Sequence, residues 1–252
     1  MPLPKISVTV PTTFWRYKYL NRIINCFLEQ TYPNLELIIL DTDSTPAQAE
    51  ELKNVLLSLY TINSPIQYHY FNSSLSIGIK RNMLASMSSG EYICHFDDDD
   101  YYYPDYISTM YNDLDGHDFI KLSSYTLYKS EACYQKGPQV GKFRYWNQDK
   151  VAAHKKWKKW PFKYGYGFTY FYRKEWIENI PMEDMNMKED STWLRAAMKQ
   201  GIKYKYTLET DRPLVIHTIH STSTSGHWGN GDSPWDTSAM LEDYTKHLHV
   251  HD

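Results

Sequence analysis

Four adjacent aspartates, Asp97-Asp98-Asp99-Asp100, are the sharpest chemical feature of this 252-residue chain. Neighbouring carboxylates repel one another and cost stability unless a cation sits among them. Hard divalent cations such as Mg2+ or Mn2+ take oxygen ligands and commonly bridge to phosphates. An acidic run in an arbitrary loop is more often a solvated turn, or the cap of a helix, here one beginning near Pro104. This run directly follows Glu91-Tyr92-Ile93-Cys94-His95-Phe96, which reads as a buried strand. Open α/β sheets bind ligands at the carboxyl ends of their strands, so its position favours a metal site. A second acidic pair, Glu189-Asp190, suits a general base that takes the proton of a poor nucleophile. It equally suits a helix N-terminus, where the macrodipole favours negative charge, and the local sequence leaves the two readings level. His217 and His220 are nitrogen donors late in the chain, although a lone histidine is more often a hydrogen-bonded structural residue. Between His154 and Lys163, lysine alternates with tryptophan. That mixture suits a membrane interface or an anionic acceptor such as a lipid-linked diphosphate. The plain alternative is a surface loop with Trp157 and Trp160 packed inward and the lysines solvated.

Distant residues make one site only if the elements between them bring them together. Ile6 to Val10 alternates apolar and polar residues and stops at Pro11, as a strand does. Tyr19, Leu20, Ile23, Ile24, Phe27 and Leu28 recur at helical spacing and predict a helix over about 16–30. Leu35 to Leu40 is a nearly all-apolar run closed by Asp41, as expected of a strand buried on both faces. Ser44-Thr45-Pro46 offers a cap and a first-turn proline for a helix through about Tyr60. A third strand over Ile66–Phe71, a helix from Ile77 to Ser88 stopped by Ser89-Gly90, and the strand before the aspartates follow. This βαβα order predicts an α/β fold with a mainly parallel central sheet flanked by helices. Three strand ends then converge: Pro11-Thr12-Thr13, Asp41-Thr42-Asp43 and Asp97 to Asp100. Beyond about residue 118 the pattern is less regular and more aromatic, and reads as a continuation of one domain over 1–252.

Composition narrows the function classes. With 42% hydrophobic and 23% charged residues the chain is not a disordered one. A formal net charge of −3 argues against a nucleic-acid-coating protein. Aromatic residues reach 16%, with 23 Tyr and 8 Trp, which suits a core plus a surface for flat faces such as sugar rings or bases. Cys26, Cys94 and Cys133 are odd in number and widely spaced, so neither a disulfide framework nor a cysteine zinc site is expected. The N-terminus lacks a signal-like apolar run and no stretch approaches the roughly 18 apolar residues of a membrane span. The expectation is a cytoplasmic protein, with peripheral membrane contact through the Lys/Trp stretch.

Four segments together resemble a known family. Ile6 to Pro11, ISVTVP, is similar to the opening strand of the family 2 glycosyltransferases of GT-A fold. Phe27 to Glu36 matches their SVLxQTYPNxE stretch. Gly78 through Pro104, with GIKRN, SGEYI and FDDDDYYYPD, matches GxxxARN…GEYIxFLDxDDxxxPD. Lys188 to Arg195, followed by Gly201, resembles ED…R…G. The resemblance spans about residues 5–205, and four segments in the right order and spacing are specific. It implies a GT-A sandwich, about 1–100 binding the nucleotide and about 101–252 the acceptor. It also implies a nucleoside diphosphate sugar donor, Mn2+ or Mg2+, a glycan or lipid-linked hydroxyl acceptor, and inversion by single in-line displacement. Asp97 and Asp99 correspond to the DxD positions, the first facing the donor ribose and the later one binding metal; Asp98 and Asp100 have unapportioned shares. Arg81 stands where an arginine contacts the nucleotide, while Asn82 holds a local turn. Pro11 and Thr12 line the loop that receives the base. Asp41 matches the first residue of the DDxS motif; the second is Thr42 here, with Asp43 a substitute after a one-residue shift. Asp190 takes the position of the catalytic base, with Glu189 as its rival. His220, followed by a Ser/Thr run, is preferred to His217 as a metal or diphosphate contact, and Ser221 to Gly231 reads as a loop able to close over the donor. In the family a Gly-containing loop at the place of Tyr166 lies near the acceptor, while Trp157 and Trp160 are acceptor or membrane candidates from the Lys/Trp stretch itself. Three other readings stand beside this one: an inactive carbohydrate-binding relative, a membrane-surface adaptor, and a sugar nucleotidyltransferase. The last would need a glycine-rich triphosphate loop that Pro11-Thr12-Thr13-Phe14 does not supply.

Overall fold

The computed structural model describes residues 2–13, 16, 19–59, 65–130, 141–147, 164–207, 209, 211–220 and 231–246. The first half alternates β1 (Ile6–Thr13), α1 (Leu20–Leu28), β2 (Leu35–Thr42), α2 (Pro46–Leu59), β3 (Ile66–Phe71), α3 (Ile77–Met87) and β4 (Tyr92–His95). The second half is mixed: β5 (Tyr101–Tyr102), α4 (Tyr106–Leu114), β6 (Phe119–Leu122), β7 (Ser124–Lys129), β8 (Phe143–Asn147), β9 (Phe171–Arg173), α5 (Glu175–Asn179), α6 (Glu189–Lys199), β10 (Tyr204–Thr207), β11 (Val215–Ile219), β12 (Gly231–Asp232) and α7 (Thr237–Thr245).

Among the described residues the main sheet has the order β10-β6-β9-β4-β1-β2-β3. β1 pairs in parallel with β2 and β4, and β2 with β3, as βαβ connections require. β9 is antiparallel to both its neighbours, β4 and β6. The expected mainly parallel sheet is therefore present, with one reversed strand set between β4 and β6. A second, mixed sheet has the order β12-β8-β7-β11-β5. A continuous apolar core joins the two, from Val8 and Leu37 of the first to Tyr125, Leu127 and Val215 of the second. β1 and β2 read as near-continuous buried runs because helices cover both faces.

Two boundaries differ from the sequence expectation. β1 runs on through Pro11 to Thr13, paired residue for residue with Leu40, Asp41 and Thr42. α1 begins at Leu20 rather than about 16, because Arg16 is drawn into the carboxylates after β4.

The stretch from Gln30 to Glu36 is a splint. The Gln30 amide donates to the carbonyls of Cys26 (2.9 Å) and Tyr103 (2.8 Å) and accepts from the Ile107 amide (3.0 Å). Tyr32 and Asn34 donate to the carbonyls of Pro4 and Leu3. Buried Glu36 accepts from Ser7 Oγ (2.6 Å), the Ser89 amide (2.6 Å) and Ser89 Oγ (2.8 Å), and pairs with Lys5 (2.7 Å). These bonds lock α1, the start of α4 and the entry of β4 to the first two strands. That lock fixes where β4 releases the aspartates.

Candidate active site

β4 is buried along its length and is followed by Phe96, whose ring stacks on Tyr102 with centroids 3.7 Å apart. The Asp97 amide donates to the Tyr102 hydroxyl (2.9 Å), which donates in turn to the Phe168 carbonyl (3.0 Å). The chain then turns, the Asp100 amide donating to the Asp97 carbonyl (3.3 Å). The turn gives the four carboxylates different sets of partners. Asp98 accepts from Thr12 Oγ1 (2.7 Å) and Arg16 Nε (2.7 Å). Asp99 meets the Arg16 guanidinium and His220 Nε2, the latter at 2.5 Å, and its carbonyl accepts from buried Arg22. Asp100 accepts from His217 Nδ1 (2.9 Å) and the Thr218 amide (2.9 Å) of β11. Asp97 accepts from Arg81 of α3 (3.2 Å).

Asp97, Asp99 and Asp100 each bring a carboxylate oxygen within 4.8 Å of the others. This all-oxygen set, with the His220 nitrogen at its edge, fits a hard divalent cation. The electrostatics agree. Burial pushes Asp97, Asp98 and Asp100 above the usual carboxylate range, Asp100 to about 6, because each sits among like charges. Asp99 is also penalised by burial, but Arg16 and His220 outweigh it and hold the group below that range. Asp97 and Asp99 stand together as expected. Asp98 is spent on Thr12 and Arg16, and Asp100 takes the third place in the cluster. The two histidines have separate partners, His217 at Asp100 and His220 at Asp99. Burial lowers the basicity of His217, and Asp100 more than restores it.

Arg81 links this cluster to the acidic pair of α6. It is 4% exposed and lies 3.8 Å from Glu189 as well as 3.2 Å from Asp97. Its guanidinium also abuts His95 Nδ1. Burial and the Arg81 charge keep that imidazole neutral. Nδ1 therefore donates to the Gly167 carbonyl (2.9 Å), and Nε2 accepts from the Tyr172 hydroxyl (2.9 Å). The helix carrying Arg81 is placed by Gly78, where a Cβ would fall 2.0 Å from the Glu183 carbonyl oxygen. Asn82 exchanges two bonds with the Met182 backbone (2.9 and 2.8 Å), the local clamp expected of it.

Glu189 and Asp190 open α6, as the helix-terminus reading expects. Asp190 accepts from the Gly167 amide (2.8 Å) and the Ser191 amide (2.5 Å) and is only half-buried. Glu189 is buried, and burial with the neighbouring Asp190 charge raises it to about 7 against the pull of Arg81.

The residues expected on the nucleotide side gather at the same sheet edge. Thr12 and Asp41 are register partners at the ends of β1 and β2. Asp41 accepts from Ser44 Oγ (2.6 and 2.8 Å) and from the Tyr68 hydroxyl of β3 (2.6 Å). Lys80 donates to the Thr12 carbonyl (3.2 Å). Asp43 is exposed at a left-handed turn position, φ 67°, apart from buried Asp41. Tyr166 is packed among Trp146, Tyr125 and Phe168, with ring centroids at 4.6, 5.1 and 6.4 Å. Trp157, Trp160, Cys133 and the loop 221–230 lie outside the described residues. The sequence reading passed over Arg16 and Lys121. Lys121 left a signal: a lone charge inside the apolar strand Phe119–Leu122.

Comparison with known proteins places this geometry. The fold is that of the GT-A glycosyltransferases. It is similar to Staphylococcus aureus TarS in complex with UDP-GlcNAc, at 16% identity and TM-score 0.59, over 97% of this chain and 71% of that one. It is similar also to the mannosyltransferase PcManGT of Pyrobaculum calidifontis in complex with GDP-Man and Mn2+, at 14% identity and TM-score 0.63, over 98% and 63%. The sequence model of Glycosyl transferase family 2 matches residues 7–180, and the chain belongs to that family. It is 33% identical over 128 residues to the putative colanic acid biosynthesis glycosyl transferase WcaA of Escherichia coli K12, covering 48% of this chain and 43% of that protein. It is 31% identical over 110 residues to a GalNAc(5)-diNAcBac-PP-undecaprenol beta-1,3-glucosyltransferase of Campylobacter jejuni, covering 43% and 34%. The curated relatives are longer: the matched part is 15% of Streptococcus pneumoniae GlyA. Among the described residues no helix is long and apolar enough to cross a membrane.

Proposed function

We propose that the chain, acting as one domain, is an inverting glycosyltransferase that moves a sugar from a nucleoside diphosphate sugar to a hydroxyl acceptor. One observation carries the reading: Arg81 joins the Asp97/Asp99/Asp100 cluster to the Glu189-Asp190 pair at a single sheet edge. The family membership and the UDP-GlcNAc and GDP-Man complexes of the structural neighbours support a nucleotide-sugar donor.

Pro11, Thr12 and Asp41 receive the base side of the donor. Asp97 faces its ribose, and Arg81 lies beside the anionic diphosphate. Asp97, Asp99 and Asp100, with His220, would hold Mn2+ or Mg2+, which would supply Lewis acidity toward the charge of the leaving diphosphate. Asp190 takes the acceptor proton as the hydroxyl attacks the anomeric carbon opposite the leaving group. A positioned carboxylate contributes ~10²–10⁴-fold to such a step. Asp190 rather than Glu189 is the base, because Glu189 is buried against Arg81 while Asp190 is half-buried beside the Gly165–Gly167 turn. The acceptor is a glycan or a lipid-linked glycan, reached on the cytoplasmic side of a membrane. The undecaprenol-linked substrate in the Campylobacter enzyme's name and the Lys/Trp stretch support this.

Calorimetric titration with UDP, GDP and dTDP, each with and without Mn2+, tests the donor site. Metal-dependent binding of one nucleotide is expected. Folded protein that binds none of the three would favour the inactive-relative or adaptor reading. Asp190→Ala is expected to bind that nucleotide normally and lose transfer by ~10²-fold or more. Wild-type transfer by this variant would remove Asp190 from the role. Trp157→Ala/Trp160→Ala is expected to weaken acceptor or liposome binding.

A further inference from the structure

Lys121 lies in the middle of β6 and is 0% exposed. An ammonium in the interior costs several kcal/mol unless it is bonded and paired, and an apolar residue would satisfy the strand. Its Nζ donates to the Gly165 carbonyl at 2.6 Å and lies 5.1 Å from the Tyr166 ring and 5.8 Å from the Tyr206 ring. Burial pulls the amine down to about 7, and the Asp190 charge opposes that pull.

The backbone held by Lys121 is the one that holds Asp190. From Gly165 the chain passes through Tyr166, in the left-handed region at φ 69°, to Gly167, whose amide donates to Asp190 Oδ2 at 2.8 Å. The approach is close: a Cβ on Gly167 would lie 2.9 Å from Asp190 Cβ and 3.1 Å from Oδ2. We propose that Lys121 is a positioning residue for Asp190. It fastens the Gly165–Gly167 turn against the carboxylate and sets a buried amine close enough to feel the Asp190 charge. The other titratable or charged groups facing Asp190 are Arg81 from α3, Glu189 on its own helix, Tyr166 from the turn and Tyr170 ahead of β9. Arg81 is already shared between Asp97 and Glu189, so Lys121 is not redundant with it.

This inference rests on Asp190 as the base, and the experiment separates the two. Carbon-13 NMR of aspartate-labelled protein follows the Asp190 carboxyl, assigned by its loss in Asp190→Asn, in wild type, Lys121→Met and Lys121→Arg. Nucleotide release from UDP-GlcNAc and from GDP-mannose with Mn2+ is measured alongside. In Lys121→Met the carboxyl should titrate about one pH unit higher. Release should fall about 10- to 10²-fold with the donor KM within about twofold. Lys121→Arg, which keeps the charge, should retain most of both. A wild-type titration midpoint in folded Lys121→Met overturns the proposal whatever the rates. If Lys121→Met is unfolded, a midpoint in Lys121→Arg more than about one unit from wild type overturns it. Full-rate release by Asp190→Asn instead overturns the base assignment, leaving the midpoints to decide the pairing.

Discussion

Arg81, Thr12, His220 and His217 each serve one carboxylate after β4, while Arg16 is shared by two. Its guanidinium spans Asp98 and Asp99 and, at 26% exposure, reaches the edge of the site. A charge there and a divalent cation compete for Asp99. Arg16→Ala is expected to tighten Mn2+ binding to nucleotide-free protein by about tenfold, the effect of roughly one pKa unit of altered carboxylate affinity. Electron paramagnetic resonance of free Mn2+ measures it, and unchanged affinity would show that Arg16 leaves the metal cluster alone. His217 and His220 belong to the same scale. Their partners are consecutive aspartates, so neither histidine can be exchanged for the other without moving a strand.

At the scale of elements, the segment most like the family motif proves to be a joint. Gln30 and Glu36 never approach the carboxylate cluster; they tie α1, α4, β1 and β4 into one frame. Burial alone would raise Glu36, but Lys5, Ser7 and Ser89 hold it down at about 2. The sign follows. A carboxyl whose folded pKa is depressed adds stability that is present above its unfolded value, near 4.5, and is lost as pH falls toward about 2. Glu36→Gln is therefore expected to destabilise the protein at neutral pH by about 1–3 kcal/mol. Chemical denaturation across acidic pH should find the difference shrinking below pH 4. A constant difference would mean that the hydrogen bonds alone carry the effect. Gly167→Ala should act at the α6 junction, since the added methyl meets Asp190 rather than a flexible side-chain end.

For the whole molecule, the two sheets share one core, and a buried carboxylate is bonded into the second. Glu209 accepts from the Leu214 and Val215 amides (2.7 and 3.1 Å), while its own amide donates to Ser124 Oγ (3.0 Å). Burial raises it to about 8. Here the sign is opposite: the folded state holds a proton that the unfolded state releases near 4.5, so stability falls as pH rises from there toward 8. Glu209→Gln keeps the acceptor and cannot ionise. Its melting temperature should overtake that of wild type between pH 5 and 8, and parallel curves would refute the assignment. Much of this architecture was legible in residue order. Apolar runs at Ile6–Val10 and Leu35–Leu40, with helical spacing between them, are local patterns that fix strand and helix whatever surrounds them. Aspartates at a strand end can be placed at the ligand edge by topology alone. Those readings put Asp97 to Asp100 at that edge, whereas Arg81, Asp190 and the choice of Asp97 and Asp99 came from the family resemblance. Folding alone divided Asp98 from Asp100, gave His217 and His220 separate partners, turned Gln30 and Glu36 into a splint, and set Lys121 beneath the turn that holds Asp190. These outcomes depend on which groups, from 29 residues apart for Ser7 and Glu36 to 121 for Asp99 and His220, end within hydrogen-bonding distance of one another. Residue type and spacing carry no such distance; only the packing of one sheet edge against the other does.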